Sequence, residues 1–253
     1  MNRPVRGPMA EVGRCFALVP CGGTGSRAGA GLPKQYRVVA GRPVLAHTLA
    51  ALAAVPAVVG VMVVVAPDDC LIDGPHVGLP RSWTEVMDGT PLFIAKDGGL
   101  KRAHTVFNGL KALREQGAGD EDWVLVHDAA RCLVRPAQVA ALVAHCQHTG
   151  QGGLLALKLP DTLKVEAQGQ VVGTVPRDDK WLAQTPQMFR LAELQAALAA
   201  AAPHDFAGIT DEASAIEAQG GRPWLVAGSA QNIKLTYPED FELADALLRS
   251  RTA

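Results

Sequence analysis

Ala17-Leu18-Val19-Pro20-Cys21-Gly22-Gly23-Thr24-Gly25-Ser26-Arg27-Ala28-Gly29-Ala30-Gly31-Leu32-Pro33-Lys34-Gln35-Tyr36 is the stretch around which the chain is organised. The apolar run from Cys15 to Val19 has the character of a buried strand, and Pro20 is expected to end it. Gly22, Gly23 and Gly25 follow, with the cations Arg27 and Lys34 close behind. Glycine lets a backbone approach a ligand closely and turn its N–H groups inward. A strand, a glycine loop and two fixed cations together describe a cradle for a polyphosphate. Gly23-Thr24-Gly25 lacks the third glycine of a dinucleotide fingerprint, and no Gly-Lys-Ser/Thr follows, so this is not a P-loop. Taken alone, the glycines are equally compatible with a surface turn.

Outward from this stretch, apolar and helical segments alternate. Val44 to Val55 reads as a helix with Pro43 near its first turn. Val58 to Val65 is a β-branched run suited to a parallel strand buried on both faces. Pro67 to Thr90 is irregular. Pro91 to Ala95, Trp123 to His127 and Gly153 to Lys158 read as strands, and Ala103 to Glu115 and Gln138 to His148 as helices. The alternation predicts an α/β fold with a doubly wound, mostly parallel sheet. Ligands of such sheets bind beyond the carboxyl ends of the strands. Pro20 and Asp128 both fall there, which brings the loop and the acid together.

Pro160 to Pro186 breaks the alternation, with two β-prone pieces, Leu163 to Val165 and Val171 to Val175, set among turn formers and polar residues. It is expected to form a β-arm leaving the main body. Isolated hairpins are marginal, so the arm needs something to dock on, and a two-fold partner is the commonest choice. Leu191 to Ala202, Asp211 to Gln219 and Glu239 to Arg249 read as helices, and Trp224 to Val226 and Ile233 to Thr236 as strands. Residues 1–14 read as a flexible tail and 15–253 as one domain.

The 253 residues carry 24 basic and 25 acidic side chains, a net charge of −1. That gives no electrostatic case for nucleic acid or an anionic membrane. No run of 18 apolar residues exists to span a bilayer. Five cysteines, with no CxxC pair, argue against a disulfide framework or a zinc site and fit a reducing cytoplasm. Cys21 in the glycine loop reads as a small residue filling a tight turn.

Three further constellations carry chemistry. Val126-His127-Asp128-Ala129-Ala130-Arg131 ends a strand with an acid able to hold a Mg²⁺ that bridges nucleotide phosphates. Arg131 can face a second phosphate; the plainer alternative is a helix cap with a salt bridge. Gly98-Gly99-Leu100-Lys101-Arg102-Ala103-His104-Thr105 leads into a helix, its glycines admitting a flat base and Thr105 offering a hydroxyl. Asp161-Thr162-Leu163-Lys164, Arg177 and Thr185-Pro186-Gln187 lie in and beside the arm, where hydroxyls and a guanidinium suit a polyol phosphate. Thr210 in Ile209-Thr210-Asp211-Glu212-Ala213-Ser214 could be only a helix N-cap, and Lys234 in Asn232-Ile233-Lys234-Leu235-Thr236 only a surface lysine.

With Leu32-Pro33-Lys34-Gln35-Tyr36, the glycine stretch resembles the signature loop of nucleotidyltransferases that activate sugar phosphates. The blocks above, in order from Ala17 to Leu247, resemble the 2-C-methyl-D-erythritol 4-phosphate cytidylyltransferases of the non-mevalonate isoprenoid pathway. The resemblance implies a Rossmann-like nucleotidyltransferase fold and transfer of CMP from CTP to a polyol phosphate with Mg²⁺. It implies Arg27 and Lys34 on the triphosphate, Lys234 on the α-phosphate, and Asp128 on the metal. Pro20, Cys21, Gly22, Gly23, Gly25, Gly99 and Thr105 would then bind nucleotide. Arg131, Thr162, Arg177, Thr185 and Thr210 would hold the substrate, the arm reaching into the partner of a homodimer. This chain departs from the family pattern at Cys21-Gly22-Gly23 (usually Ala-Ala-Gly), at Leu100, and at Gln231, where the family usually has an acid. A ribitol 5-phosphate cytidylyltransferase and a non-catalytic nucleotide sensor on the same fold are the rival readings.

Overall fold

The first strand alternates strictly, and the alternation decides how the molecule is layered. In a computed structural model, which describes residues 13–23, 32–74, 80 and 82–251, β1 (Cys15–Cys21) points Cys15, Ala17, Val19 and Cys21 into one apolar cluster and Phe16 and Leu18 into another. Side chains two apart share a face of a strand, so β1 is buried on both sides. After a short hairpin, β2 (Val38–Val39) and β3 (Arg42–Pro43), come α1 (Val44–Ala53) and β4 (Val58–Val65). They are followed by β5 (Leu92–Ala95), α2 (Arg102–Glu115), β6 (Trp123–Val126), α3 (Pro136–Thr149) and β7 (Gly153–Lys158). Next are β8 (Leu163–Ala167), β9 (Gln170–Val175), β10 (Trp181–Arg190), α4 (Leu191–Ala201), α5 (Glu212–Ala218), β11 (Trp224–Ala227) and α6 (Pro238–Ser250).

The main sheet has the order β11-β7-β10-β6-β1-β4-β5. Only β10 runs against its neighbours, β6 and β7; the other pairings are parallel. One face is covered by α1 and α3, the other by α2, α4 and α5. Helix α2 lies so close to β1 and β4 that a Cβ on Gly109 would sit 2.7 Å from Val64 and 2.8 Å from Leu18. That close approach aims the helix N-terminus at the ends of the central strands.

The structure corrects four expectations. Pro20 does not end β1; it pairs with Val64, and the strand runs on to Cys21. Proline is tolerated here because its one missing donor removes one ladder bond at the strand's last turn into the loop. Residues 233–236 form no strand, although Leu235 N–H donates to Ala130 O at 2.9 Å. The expected arm's span to Pro186 does not hold: β10 from Trp181 belongs to the main sheet, and Pro186 falls where its register with β7 breaks, between Ala183 and Gln187. Arg14 belongs to the body, its backbone N–H and guanidinium both donating to Asp122; residues 1–12 of the expected tail lie outside the described residues. Among the described residues, strands β8 and β9 pair only with each other, as a separate two-stranded sheet whose side chains are mostly exposed.

Candidate active site

Parallel strands β6, β1 and β4 are neighbours, so their carboxyl ends open onto one edge of the sheet. A cleft of about 710 Å³ lies there, walled by Pro20 to Gly23, by Lys34 and Gln35, by Gly98 to Arg102, and by Asp128 and Lys234. Of the residues expected on the nucleotide, Pro20, Cys21, Gly22, Gly23, Lys34, Gly99 and Thr105 line it. Gly25 and Arg27 lie outside the described residues. Lys34 is carried by a single 3₁₀ turn, 34–36, fastened on both sides. Gln35 Nε2 donates to Cys21 O at 3.2 Å, and Tyr36 Oη donates to Asp69 Oδ2 at 2.7 Å.

Two glycine segments meet at the floor. A Cβ on Gly22 would lie 3.1 Å from Gly98 Cα and 2.8 Å from Thr105 Oγ1. Thr105 closes the loop before α2 by accepting from Gly99 N–H at 3.1 Å. The result is a narrow slot with backbone groups on its walls, beside the positive end of a 14-residue helix.

The opposite wall is a charge cluster. Asp128 is 7% exposed. Its Oδ1 accepts from Arg102 Nε at 2.8 Å, its Oδ2 lies 2.9 Å from Lys234 Nζ, and Arg131 Nε stands at 3.7 Å. Burial alone would raise the Asp128 carboxyl, but these three cations outweigh it and hold it well below the usual carboxylate range. Behind it, Asp128 N–H donates to Thr185 Oγ1 at 3.0 Å, and that hydroxyl lies 3.0 Å from His127 Nδ1. With His127 Nε2 facing Arg131 O at 3.2 Å, the ring carries its proton on Nε2. Burial pushes His127 down to about 4, so the imidazole is neutral at pH 7.

Two residues expected to reach substrate are committed inside the protein. Thr185 is buried and braces Asp128 and His127. Arg131 donates to Asn232 O at 2.6 Å and to Ala183 O at 3.4 Å, tying down the segment that carries Lys234. Thr210 lines a small side cavity next to Arg102, while Thr162 and Arg177 stay off the cleft wall. Arg177 instead donates to Pro160 O at the base of the hairpin. Leu100 stands fully exposed at the cleft mouth, and Gln231 accepts from Arg135 Nη2 at 2.8 Å. Sequence reasoning passed over Arg102 and Glu212, which pair at 2.6 and 3.0 Å. They lie in the segments 98–105 and 209–214, and only the fold reveals that residues 110 positions apart touch.

The donor set bears on a metal ion. Among the described residues, no three His, Cys, Asp or Glu gather into a cage. Asp128 offers hard carboxylate oxygens shared with cations. This fits an ion of the Mg²⁺ type that arrives on a polyphosphate and takes one protein carboxylate, with phosphate and water as its other ligands. No helix among the described residues is long and apolar enough to cross a membrane.

Comparison with known proteins gives a consistent set of likenesses. The chain matches the family model described as IspD, 2-C-methyl-D-erythritol 4-phosphate cytidylyltransferase, over residues 15–250. It is 50% identical over 237 residues to the protein of that name from Chromobacterium violaceum, covering 93% of this chain and 98% of the relative. It is 53% identical over 240 residues to a bifunctional enzyme IspD/IspF from Albidiferax ferrireducens, covering 95% of this chain but only 54%, about half, of that longer protein. Among solved structures, a 4-diphosphocytidyl-2C-methyl-D-erythritol synthase aligns with TM-score 0.77 and 38% identity, over 93% of this chain and 98% of the other. The cytidylyltransferase from Thermus thermophilus aligns with TM-score 0.73 and 32% identity, over 93% and 99%.

Proposed function

The chain belongs to the 2-C-methyl-D-erythritol 4-phosphate cytidylyltransferase family, and from that premise we propose that it transfers CMP from CTP to 2-C-methyl-D-erythritol 4-phosphate, releasing pyrophosphate. The observation that carries the reading is the match over residues 15–250, which spans every wall of the cleft described above.

The chemistry asks little of a base. A phosphomonoester has a second pKa of about 6, so it is already largely dianionic at pH 7. One of its oxygens attacks the α-phosphorus of CTP, and the bond from that phosphorus to the bridging oxygen breaks, releasing pyrophosphate. The difficulty is bringing one anion to another, which preorganised cations relieve. Lys34 and Lys234 both line the cleft, and Arg27 of the same glycine stretch, outside the described residues, is the third cation this reading calls on. His127 is buried and neutral, and burial pushes the Cys21 thiol far up, so neither is placed as a base or nucleophile. A bound Mg²⁺, held by Asp128, would supply further positive charge to the triphosphate. The slot between Gly22 and Gly98 suits a flat pyrimidine, and CTP is the expected nucleotide.

The functional unit in this reading is a homodimer. Leu163, Val165, Val171 and Val172 leave apolar surface exposed on a hairpin that pairs with no other strand among the described residues. A second copy would cover it and bring Arg177 and Thr162 to the neighbouring cleft. The buried thiols of Cys15, Cys21, Cys132 and Cys146, none of them in a disulfide, suit a cytoplasmic setting.

The test is pyrophosphate release from each of the four nucleoside triphosphates with Mg²⁺, against 2-C-methyl-D-erythritol 4-phosphate and, in parallel, ribitol 5-phosphate. Turnover with CTP and the methylerythritol phosphate should dominate. Equal or faster turnover with ribitol 5-phosphate, or no preference for CTP, refutes the assignment. Co-refolding Arg177→Ala with Lys34→Ala chains tests the dimer: exchanged arms regenerate about a quarter of intact sites on random pairing, and no recovery in proven heterodimers places Arg177 in its own chain's site.

A further inference from the structure

Arg102 opens α2, and its guanidinium lies between two acids from distant parts of the chain. Nε donates to Asp128 Oδ1 at 2.8 Å, while Nη1 and Nη2 fork onto Glu212 Oε1 and Oε2 at 2.6 and 3.0 Å. Both acids are buried, Glu212 to 2% exposure as the first residue of α5. An outer tie runs alongside: Lys101 Nζ donates to Asp205 O at 2.8 Å, and the His104 ring stands edge-on to Phe206 at 4.7 Å. The first turn of α2 therefore joins three segments. They are the glycine loop facing the nucleotide slot, the strand end where Asp128 holds Lys234, and the segment leading into α5 that carries Thr210.

We propose that Arg102 is a positioning residue for the transfer reaction, fixing Asp128 and Glu212 against each other so that Lys234 faces the cleft in register with the Thr210 segment, which lines the side cavity on the other side of Arg102. The role presupposes the cytidylyl transfer proposed above. A carboxylate held at one oxygen is free to rotate. With Arg102 on Oδ1, the plane of Asp128 is set, and Oδ2 then fixes Lys234 Nζ at 2.9 Å. Stability alone does not explain the arrangement, because buried ion pairs are commonly replaceable by apolar residues without loss. Nor would a lysine serve at position 102. Its single ammonium cannot form the planar fork on Glu212 and reach Asp128 as well.

The experiment compares the parent full-length chain with Arg102→Lys, Lys234→Gln and the double variant, by steady-state kinetics with CTP and 2-C-methyl-D-erythritol 4-phosphate and by calorimetric titration of CTP. Arg102→Lys should lower kcat about tenfold or more while the CTP Kd stays within about threefold, the pattern of a lost transition-state alignment. Because both residues act through the same carboxylate, the double variant should be no more than about threefold slower than the slower single variant. An unchanged kcat in Arg102→Lys, losses that multiply in the double variant, or a CTP Kd rising in step with the fall in kcat each overturn the role. If Arg102→Lys does not fold, Glu212→Gln replaces it in the same cycle, with an expected kcat loss of about fivefold or more and the same non-additivity. Turnover by the parent with unaffected variants refutes only Arg102. No turnover by the parent refutes the transfer reading and the role together.

Discussion

Gly98→Ala probes the floor of the cleft with one methyl group. An ideal Cβ at Gly98 would stand 2.7 Å from Val65 O and 2.9 Å from Gly22 Cα. Both obstacles are backbone, so no side-chain rotation relieves them. The same Val65 carbonyl already accepts from Gly98 N–H at 2.8 Å, which prevents the loop from simply lifting away. Gly98 is not among the positive-φ glycines, so the substitution acts through space alone. Overpacking of this kind costs about 1–3 kcal/mol. For a chain of this size each kcal/mol lowers Tm by roughly 2–4 °C, giving a drop of about 2–12 °C. Moving the Gly98 segment also pulls the slot away from the base. Loss of one backbone hydrogen bond to CTP corresponds to about tenfold in Kd. Gly23→Ala is the control for the melting effect alone, since Gly23 lines the cleft: among the described residues nothing lies within 4 Å of its Cβ, and surface changes stay within about 0.5 kcal/mol. Differential scanning calorimetry and isothermal titration with CTP read both effects. A Gly98→Ala chain that melts and binds CTP like its parent refutes the claim that the two glycine segments meet at the floor.

Lys234→Gln should cut kcat by about 100-fold, the scale of losing one preorganised charge contact, with little change in Tm because the side chain is 39% exposed; near-normal turnover in steady-state assays counts against its placement. Excess chelator should abolish pyrophosphate release and added Mg²⁺ restore it, while Asp128→Asn should raise the Mg²⁺ concentration needed for half-maximal rate. Asp122 is partly desolvated, which raises its pKa, but Arg14 and the Gly119 N–H more than compensate and hold it low. A depressed carboxylate contributes stability above its unfolded pKa of about 3.9 and loses it as pH falls through the folded value. The melting gap between parent and Asp122→Asn should therefore be widest near neutrality and close below about pH 4; a gap that widens with acid has the wrong sign.

The parts of this protein legible in the sequence are those governed by local pattern. Val58 to Val65 could be little other than a buried strand, and β4 has those bounds. The glycine loops were legible because a tight cleft floor requires glycine at Gly22 and Gly98. What stayed hidden depends on long-range contact. Trp181–Arg190 contains Pro186, which reads as a breaker, yet the strand persists because its pairing with β7 resumes at Gln187, where its pairing with β6 also begins. Thr185 and Arg131 carry groups that suit a ligand, and only the fold shows those groups already engaged with His127, Asp128 and Asn232. Residues 233–236 have strand character but pair with no strand; they are placed instead by the bond from Leu235 to Ala130.

Two carboxylates in a site built for anions seem misplaced until the geometry of the cations is considered. Lysine and arginine carry about 2 kcal/mol of rotamer entropy each on long flexible stems. A cation free to wander follows the charge of a bound substrate in the ground state as readily as in the transition state, and such uniform attraction does not raise kcat. Asp128 and Glu212 remove that freedom: Arg102 is held by both and Lys234 by one. With Arg131, three cations stand against two carboxylates, so the cluster keeps one net positive charge to offer. In the proposed transfer the acids would weaken the raw attraction for phosphate, and in exchange the remaining charge would be fixed at the α-phosphorus as it passes between two oxygens. Preorganisation of this kind is the largest single contribution in many enzymes, and here it is built from residues that never need to gain or lose a proton.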